Sequence, residues 1–312
     1  MGIFEKFPKS VHYIGIYGMK KLQDSTIIVC SIVRDAEKGL IHNIPVINQL
    51  CSLAKDYRII VYENDSKDRT KQILTDWSNE CPEKIHVSLN VTGANKPISV
   101  AESANGVNPF FSRKRISKMA MLRNKYMQYI DDNNWVSDYI IVVDLDVSQL
   151  YLATILSSFA SDIEWDAVCA FGYSLSPKLK RRFHDTYALF LYGTETEPQT
   201  EIKIKQNADF LVGLCGYGWL KVASAFGGLA IYRFEAIKGL RYQVIDNDDS
   251  RVEVRCEHYS IYKQMKERGY DRFYINPDMT LKYQSLTLKI VFNSLYRRLQ
   301  FLLSRINHIA FR

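Results

Sequence analysis

The chain has 312 residues, of which 47% are hydrophobic, 24% charged and 12% aromatic. That length can bury a large core, and the balance is ordinary for a globular protein; wholesale disorder, collagen and coiled-coil rods are excluded, and no internal repeat points to a solenoid or propeller. The net charge of +7 is unevenly placed: residues 251–312 hold twelve Lys/Arg against five Asp/Glu, while the first 250 residues hold 29 of each sign. Basicity confined to one end points to an anionic partner for that end, such as a membrane surface or nucleic acid.

Residues 1–24 read as an N-terminal extension. Thr26–Val33 is short, continuous, apolar and β-branched, which predicts a buried strand. Leu40, Ile44, Ile47, Leu50 and Leu53 give a helical stripe over Leu40–Ala54, with Pro45 as a flaw. Arg58–Tyr62 predicts a second strand, ending in the polar cluster Glu63-Asn64-Asp65-Ser66-Lys67-Asp68, and a helix continues from Thr70 to Trp77. Ile85–Asn90 is a third strand, residues 92–114 a loop, and Ile116–Ile130 a basic amphipathic helix. Tyr139–Val143 is the clearest central strand and runs into Asp144-Leu145-Asp146; a helix Gln149–Phe159 and a strand Ala167–Phe171 follow. Phe210–Tyr232 contains Lys221 and five glycines, so it reads as a glycine-rich site segment and not as a membrane span. The alternation from 26 to 171 predicts an α/β domain, a mostly parallel sheet flanked by helices, and ligands in such sheets bind at the carboxyl ends of the strands. The domain is expected to span 25–284.

Several groups fall at those strand ends. Asp144 and Asp146, two residues apart after a buried strand, either cap and turn the chain or hold one hard cation, Mn2+ or Mg2+. Glu63-Asn64-Asp65 can accept hydrogen bonds from a base or ribose, while Ser66 and Asp68 also suit a helix cap. Arg113, Lys114, Arg115, Lys118 and Arg123 are either a solvated helix face or a diphosphate-binding set. Asp185 follows Phe183-His184 in an aromatic setting, and Gly227-Gly228 allows close backbone approach. Glu257 and His258 open a helix, Tyr259–Lys266; they are surface caps, or a general base and a third metal ligand.

The ordered series Val61-Tyr62-Glu63-Asn64-Asp65-Ser66, Arg123-Asn124, Val143-Asp144-Leu145-Asp146, Phe226-Gly227-Gly228 and Cys256-Glu257-His258 resembles the GT-A-fold, nucleotide-sugar-dependent glycosyltransferases. The likeness is to the branch that includes the fungal capsule-associated mannosyltransferases, over roughly residues 26–280. It implies a Rossmann-like sheet and a sugar nucleotide across the strand ends. Glu63, Asn64 and Asp65 would lie near the base or ribose, and Asp144 and Asp146 would hold the metal on the diphosphate, with Arg123 nearby. Gly227 and Gly228 would line the sugar or acceptor, a glycan or a lipid-linked glycan. Glu257 would be the base of an inverting enzyme, but His258 stands where many inverting members have Asp. A retaining reaction, with Asp185 near the anomeric carbon, therefore stays open. Two other readings are a sugar-nucleotide pyrophosphorylase, disfavoured because Ser31–Asp35 lacks a glycine-rich phosphate loop, and a membrane- or RNA-binding scaffold.

In the tail, 285–312, Leu288, Phe292, Leu295, Leu299, Leu302, Ile306 and Ile309 make a heptad-like seam flanked by basic residues. It is expected to form an amphipathic helix that packs on the core, on another subunit or on an anionic membrane; it lacks the aromatic–basic interleaving of a nucleic-acid surface. The six cysteines form no C-x-x-C pair or zinc spacing, and Cys30 and Cys169 read as buried thiols of a reducing compartment. No signal-peptide core follows Met1, so the expected location is the cytosol, peripheral to the inner membrane face.

Overall fold

Alternate residues of the central strands serve two different cores. In the computed structural model, which describes residues 4–5, 11–90, 107–176, 181–214, 218–284, 292 and 296, Ile28, Cys30, Ile60, Ile140 and Val142 enter one core. Ile27, Val29, Ile59, Ile141 and Val143 enter the other. This period of two is what a sheet covered on both faces requires, and each buried aliphatic side chain contributes about 1.5–3 kcal/mol relative to exposure.

In chain order the elements are β1 (Phe4–Glu5), α1 (Val11–Gln23), β2 (Thr26–Val33), α2 (Glu37–Leu53), β3 (Asp56–Glu63), α3 (Thr70–Glu80), β4 (Ile85–Ser88), a 3-10 turn (Pro109–Phe111) and α4 (Arg113–Asp132). Then come β5 (Tyr139–Val143), α5 (Leu152–Phe159), β6 (Ala167–Leu175), β7 (Arg181–Phe183), β8 (Phe190–Leu191), α6 (Glu201–Leu214), β9 (Trp219–Ser224), β10 (Leu229–Arg233), α7 (Phe234–Ile237), α8 (Glu257–Glu267) and β11 (Phe273–Gln284). The sheet order is β1-β9-β11-β6-β10-β5-β2-β3-β4, with β7 on β6 and β8 on β9. Along that path only β9 and β10 run against the other seven strands, so the expected mostly parallel sheet is present in direction. β10 lies antiparallel between β5 and β6, an insertion the chain-order alternation does not announce.

Helices α4, α7 and α8 cover one face; α1, α2, α3 and α5 cover the other. α2 starts earlier than its apolar stripe suggests and passes through Pro45, which is exposed. Its buried positions are Gly39, Leu40, Asn43, Ile47, Leu50 and Cys51. The N-terminal segment is tied to the domain: Leu22 is wholly buried, and a Cβ on Gly18 would fall 2.4 Å from the Leu156 carbonyl oxygen of α5. The segment Phe210–Tyr232 resolves into the end of α6 and two strands, β9 and β10, around Ala225–Gly228. The five cysteines among the described residues are free, and four of them are buried. Among the described residues no helix is long and apolar enough to cross a membrane. The tail seam lies outside the described residues except Phe292, which is exposed.

The register brings the site together. Val33 pairs with Glu63 and Cys30 with Val142, so the chain leaves β2, β3 and β5 on one edge of the sheet. Arg34, Asn64 and Asp144 follow there in neighbouring positions.

Candidate active site

The loop after β5 is held from below by α2. A Cβ on Gly39 would fall 2.4 Å from the Leu145 carbonyl oxygen, so only glycine lets α2 approach so closely. The buried Asn43 amide donates to the carbonyls of Leu145 (3.1 Å) and Val147 (2.8 Å) and accepts from the Leu150 amide (2.9 Å). Leu145 is buried between the two acids. Asp144 is largely buried and Asp146 exposed, and both line one cavity of about 580 Å³. A cavity of that size is typical of small-molecule sites.

Arg123 of α4 reaches this loop from the opposite face. Its side chain is 3% exposed; Nε donates to Glu257 Oε1 at 3.0 Å and Nη2 lies 3.6 Å from Asp144 Oδ1. The guanidinium also stands over the rings of Phe226 (5.0 Å) and Tyr242 (5.8 Å), and its Nη1 is buried without a partner. Asn124, the next residue, clamps Tyr242 with its side-chain amide, donating to the Tyr242 carbonyl (2.9 Å) and accepting from the Tyr242 amide (2.7 Å). Tyr283, at the end of β11, donates from its hydroxyl to Asp144 Oδ2 at 3.0 Å.

Four acids therefore share one wall, and their environments differ. Burial pushes the Asp144 carboxyl up to about 7, with Asp146 and Glu257 adding to the rise and Arg123 and the Tyr283 hydroxyl opposing it. Asp185 is also raised to about 7, by burial first and then by Asp144 and Glu257. Burial acts on Glu257 in the same sense, but the Arg123 guanidinium hydrogen-bonded to it outweighs burial and holds it below the usual carboxylate range. Burial and Arg123 keep the His258 imidazole neutral, so the guanidinium is the partner that matters for Glu257. Asp185 sits in the left-handed region (φ 66°), with its Oδ2 3.3 Å from the Gly227 amide. The preceding His184 stacks on the Tyr283 ring at 3.6 Å.

The expected site residues thus separate into groups. Asn64, Arg123, Asp144, Asp146, Asp185, Glu257 and His258 line the same cavity. Glu63 is wholly buried in the wall beside it, where its carboxylate oxygens accept the backbone amides of Ser66 and, at 2.9 Å, Asn90. Its work is to shape the Glu63–Ser66 turn, in which Asp65 adopts a φ of 57° and is half-buried near Lys118. Gly227 and Gly228 act through their backbones. Both have positive φ (66° and 91°), and a Cβ on Gly227 would fall 2.1 Å from the Ala170 carbonyl oxygen. Their close approach presents the Gly227 amide to Asp185 and the Gly228 carbonyl to the Asp144 amide (2.9 Å).

Asp144 and Asp146 fit a hard divalent cation of the kind held by one or two carboxylates together with substrate phosphates. A desolvated carboxyl raised by neighbouring acids is the donor such a cation would offset. Among the described residues no three His, Cys, Asp or Glu side chains converge on one point, so His258 is not gathered with them as a third ligand. It lies stacked on Phe226 at 3.9 Å, edge-on to Tyr242, with both ring nitrogens buried and without a hydrogen bond and Nε2 3.8 Å from Glu257 Oε1. Asn43 and Tyr283 escape the sequence reading. Asn43 leaves one signal, a polar residue on the face shared by Leu40 and Ile47; Tyr283 leaves none, because it comes from a strand 139 residues beyond Asp144.

Among solved structures the chain is similar to the mannosyltransferase PcManGT from Pyrobaculum calidifontis in complex with GDP-Man and Mn2+, at 12% identity and a TM-score of 0.47, covering 86% of this chain and 64% of that one. It is also similar to S. aureus TarS residues 1–349, at 14% identity and a TM-score of 0.42, covering 82% and 59%. A third is GalNAc-T7 with UDP, GalNAc and Mn2+, at 11% identity and a TM-score of 0.44, covering 85% and 44%. The chain spans less than two thirds of the length of each of these proteins. No curated protein matches it. The family model described as Cryptococcal mannosyltransferase 1 matches residues 26–262, which run from the first residue of β2 into α8 and take in every cavity acid described above. Fold, site and match agree: the chain belongs to this family of glycosyltransferases.

Proposed function

We propose that the chain moves a hexose from a nucleoside-diphosphate sugar to a glycan acceptor, with Mn2+ or Mg2+ held by Asp144 and Asp146. The observation that carries this reading is the single cavity in which Asp144, Asp146, Arg123 and Asp185 meet at the strand ends. The cation, when bound, would neutralise charge on the diphosphate leaving group. Sheet order divides the cavity about Asp144. Arg34 and Asn64 follow β2 and β3 on one side and suit the nucleotide; Phe226 and Asp185 lie on the β10, β6 and β7 side and suit the sugar and acceptor.

Arg123 supplies a fixed positive charge beside Asp144, and Glu257 holds that guanidinium in place. This makes Glu257 a positioning residue: it is 3% exposed and engaged by Arg123. Asp185 is the better proton acceptor, because it is half-buried on the cavity wall and raised towards neutrality. As the acceptor oxygen bonds to the anomeric carbon, its proton passes to the Asp185 carboxylate, and the bond to the diphosphate breaks with the electron pair leaving on oxygen. Kinetics with GDP-mannose and other nucleoside-diphosphate sugars test the assignment. Asp185→Asn is expected to lower kcat about 10²–10⁴-fold while leaving metal-dependent nucleotide binding intact. Glu257→Gln is expected to weaken nucleotide binding as well, through Arg123. Full kcat in Asp185→Asn would remove Asp185 from the reaction.

A further inference from the structure

We propose that the turn Pro109–Phe111 carries the binding face for the acceptor saccharide, with the Phe110 ring as a platform for the C–H face of a pyranose; this rests on the transferase reading above. Phe110 lines the reaction cavity, yet the residue is 64% exposed. Single exposed apolar residues are common on protein surfaces; Phe110 differs in that its exposed ring stands in the lining of the cavity, where it suits a ligand contact.

The support is extensive. Asn108 caps the turn, with its side-chain oxygen accepting the Phe110 amide at 3.1 Å and its carbonyl the Phe111 amide at 2.9 Å. Asn108 is itself anchored to the Arg251 carbonyl (3.0 Å) and to Glu201 (2.5 Å). Arg115 donates to the Phe110 carbonyl at 2.9 Å, and its guanidinium stands 5.9 Å from the ring. A turn held this way keeps its backbone in place when something stacks on the ring it carries.

The turn belongs to the Asp185 half of the cavity. The Phe111 ring lies 4.6 Å from that of Tyr187, two residues beyond Asp185. The nucleotide half, at Arg34 and Asn64, is across Asp144. The surrounding chemistry is mixed: Phe110, Phe111 and Ile204 are apolar, while Thr186, Asp185 and Arg115 offer hydrogen bonds. A saccharide has that same division, with an apolar C–H face and a hydroxyl rim. A lipid chain would need a continuous apolar groove.

Saturation-transfer NMR on the full chain tests the proposal. The probes are methyl glycosides of mannose, glucose, galactose and xylose, α-linked mannobiose, octyl phosphate, and GDP and UDP with Mn2+. Saturation is expected on one ring face of a saccharide. Phe110→Ala should weaken that saccharide about 3- to 10-fold and Phe110→Trp should retain it. Nucleoside diphosphate binding should be unchanged in both; the exposure of Phe110 predicts that both variants fold. Unchanged saccharide binding in Phe110→Ala would overturn the proposal. So would a parallel loss of nucleoside diphosphate, which would place the ring on the base, or preferential binding of octyl phosphate. Nucleotide binding without any saccharide would defeat this inference alone; no binding of either class would defeat the transferase reading.

Discussion

Replacing Asp185 by Asn should make the protein more stable at alkaline pH while it destroys transfer. The carboxyl rises from its ordinary 3.8 to about 7 on folding, because it is buried beside Asp144 and Glu257. The folded state therefore binds more protons than the unfolded chain between about pH 4 and 7, and stability falls as pH climbs through that window. About three units at 1.36 kcal/mol each set a ceiling of about 4 kcal/mol above pH 7. Asp185 is only half-buried and water reaches the cavity, so about 1–2 kcal/mol is expected. Asn keeps an oxygen for the Gly227 amide and removes the charge. Scanning calorimetry without metal or nucleotide should show Tm higher by about 2–6 °C at pH 8, with the difference vanishing near pH 4. In the native protein kcat/KM should rise with pH through about 7, where the Asp185 and Asp144 carboxyls both lose their protons. A variant less stable than the native protein at pH 8, or stabilised equally at pH 4, would show that the Asp185 charge does not oppose folding.

Arg123→Gln leaves Glu257 charged and buried without its partner, so unfolding in urea should show a loss of about 3–5 kcal/mol; Arg123→Gln/Glu257→Gln should recover part of it in a double-mutant cycle. Asn43→Ala abandons the Leu145 and Val147 carbonyls and the Leu150 amide, at a cost of about 2–4 kcal/mol. Because those groups shape the Asp144–Asp146 loop, Mn2+ affinity should fall in the folded variant, whereas Asn43→Asp should keep the contact to Leu150.

The parts of the fold legible in the sequence were those written locally. Tyr139–Val143 carries a strand pattern so complete that its ends agree with the structure, and the D-x-D pair lies where a strand end predicts. β9 and β10 were lost inside a glycine-rich stretch because each is short and pairs with distant strands, so neither a hairpin turn nor a long apolar run marks them. The site divides in the same way. Asp144, Asp146, Arg123, Asp185 and Glu257 stand out in the sequence by residue type, and all five line one cavity. What each does was not legible. Glu63 and Asp65 look alike in sequence, and only the amides of Ser66 and Asn90 show that Glu63 is a brace. Glu257 reads as a base or a cap, and nothing near it in the sequence announces its ion pair with Arg123, 134 residues earlier.

Asp144 and Asp146 are proposed to hold a divalent cation on a nucleoside diphosphate. Calorimetric titration of GDP and UDP, with and without Mn2+, against the native protein and Asp144→Ala/Asp146→Ala tests it most directly. Metal-dependent binding of one nucleotide to the native protein is expected, with its loss in the folded double variant. Equal binding to both proteins, or binding indifferent to metal, would contradict it.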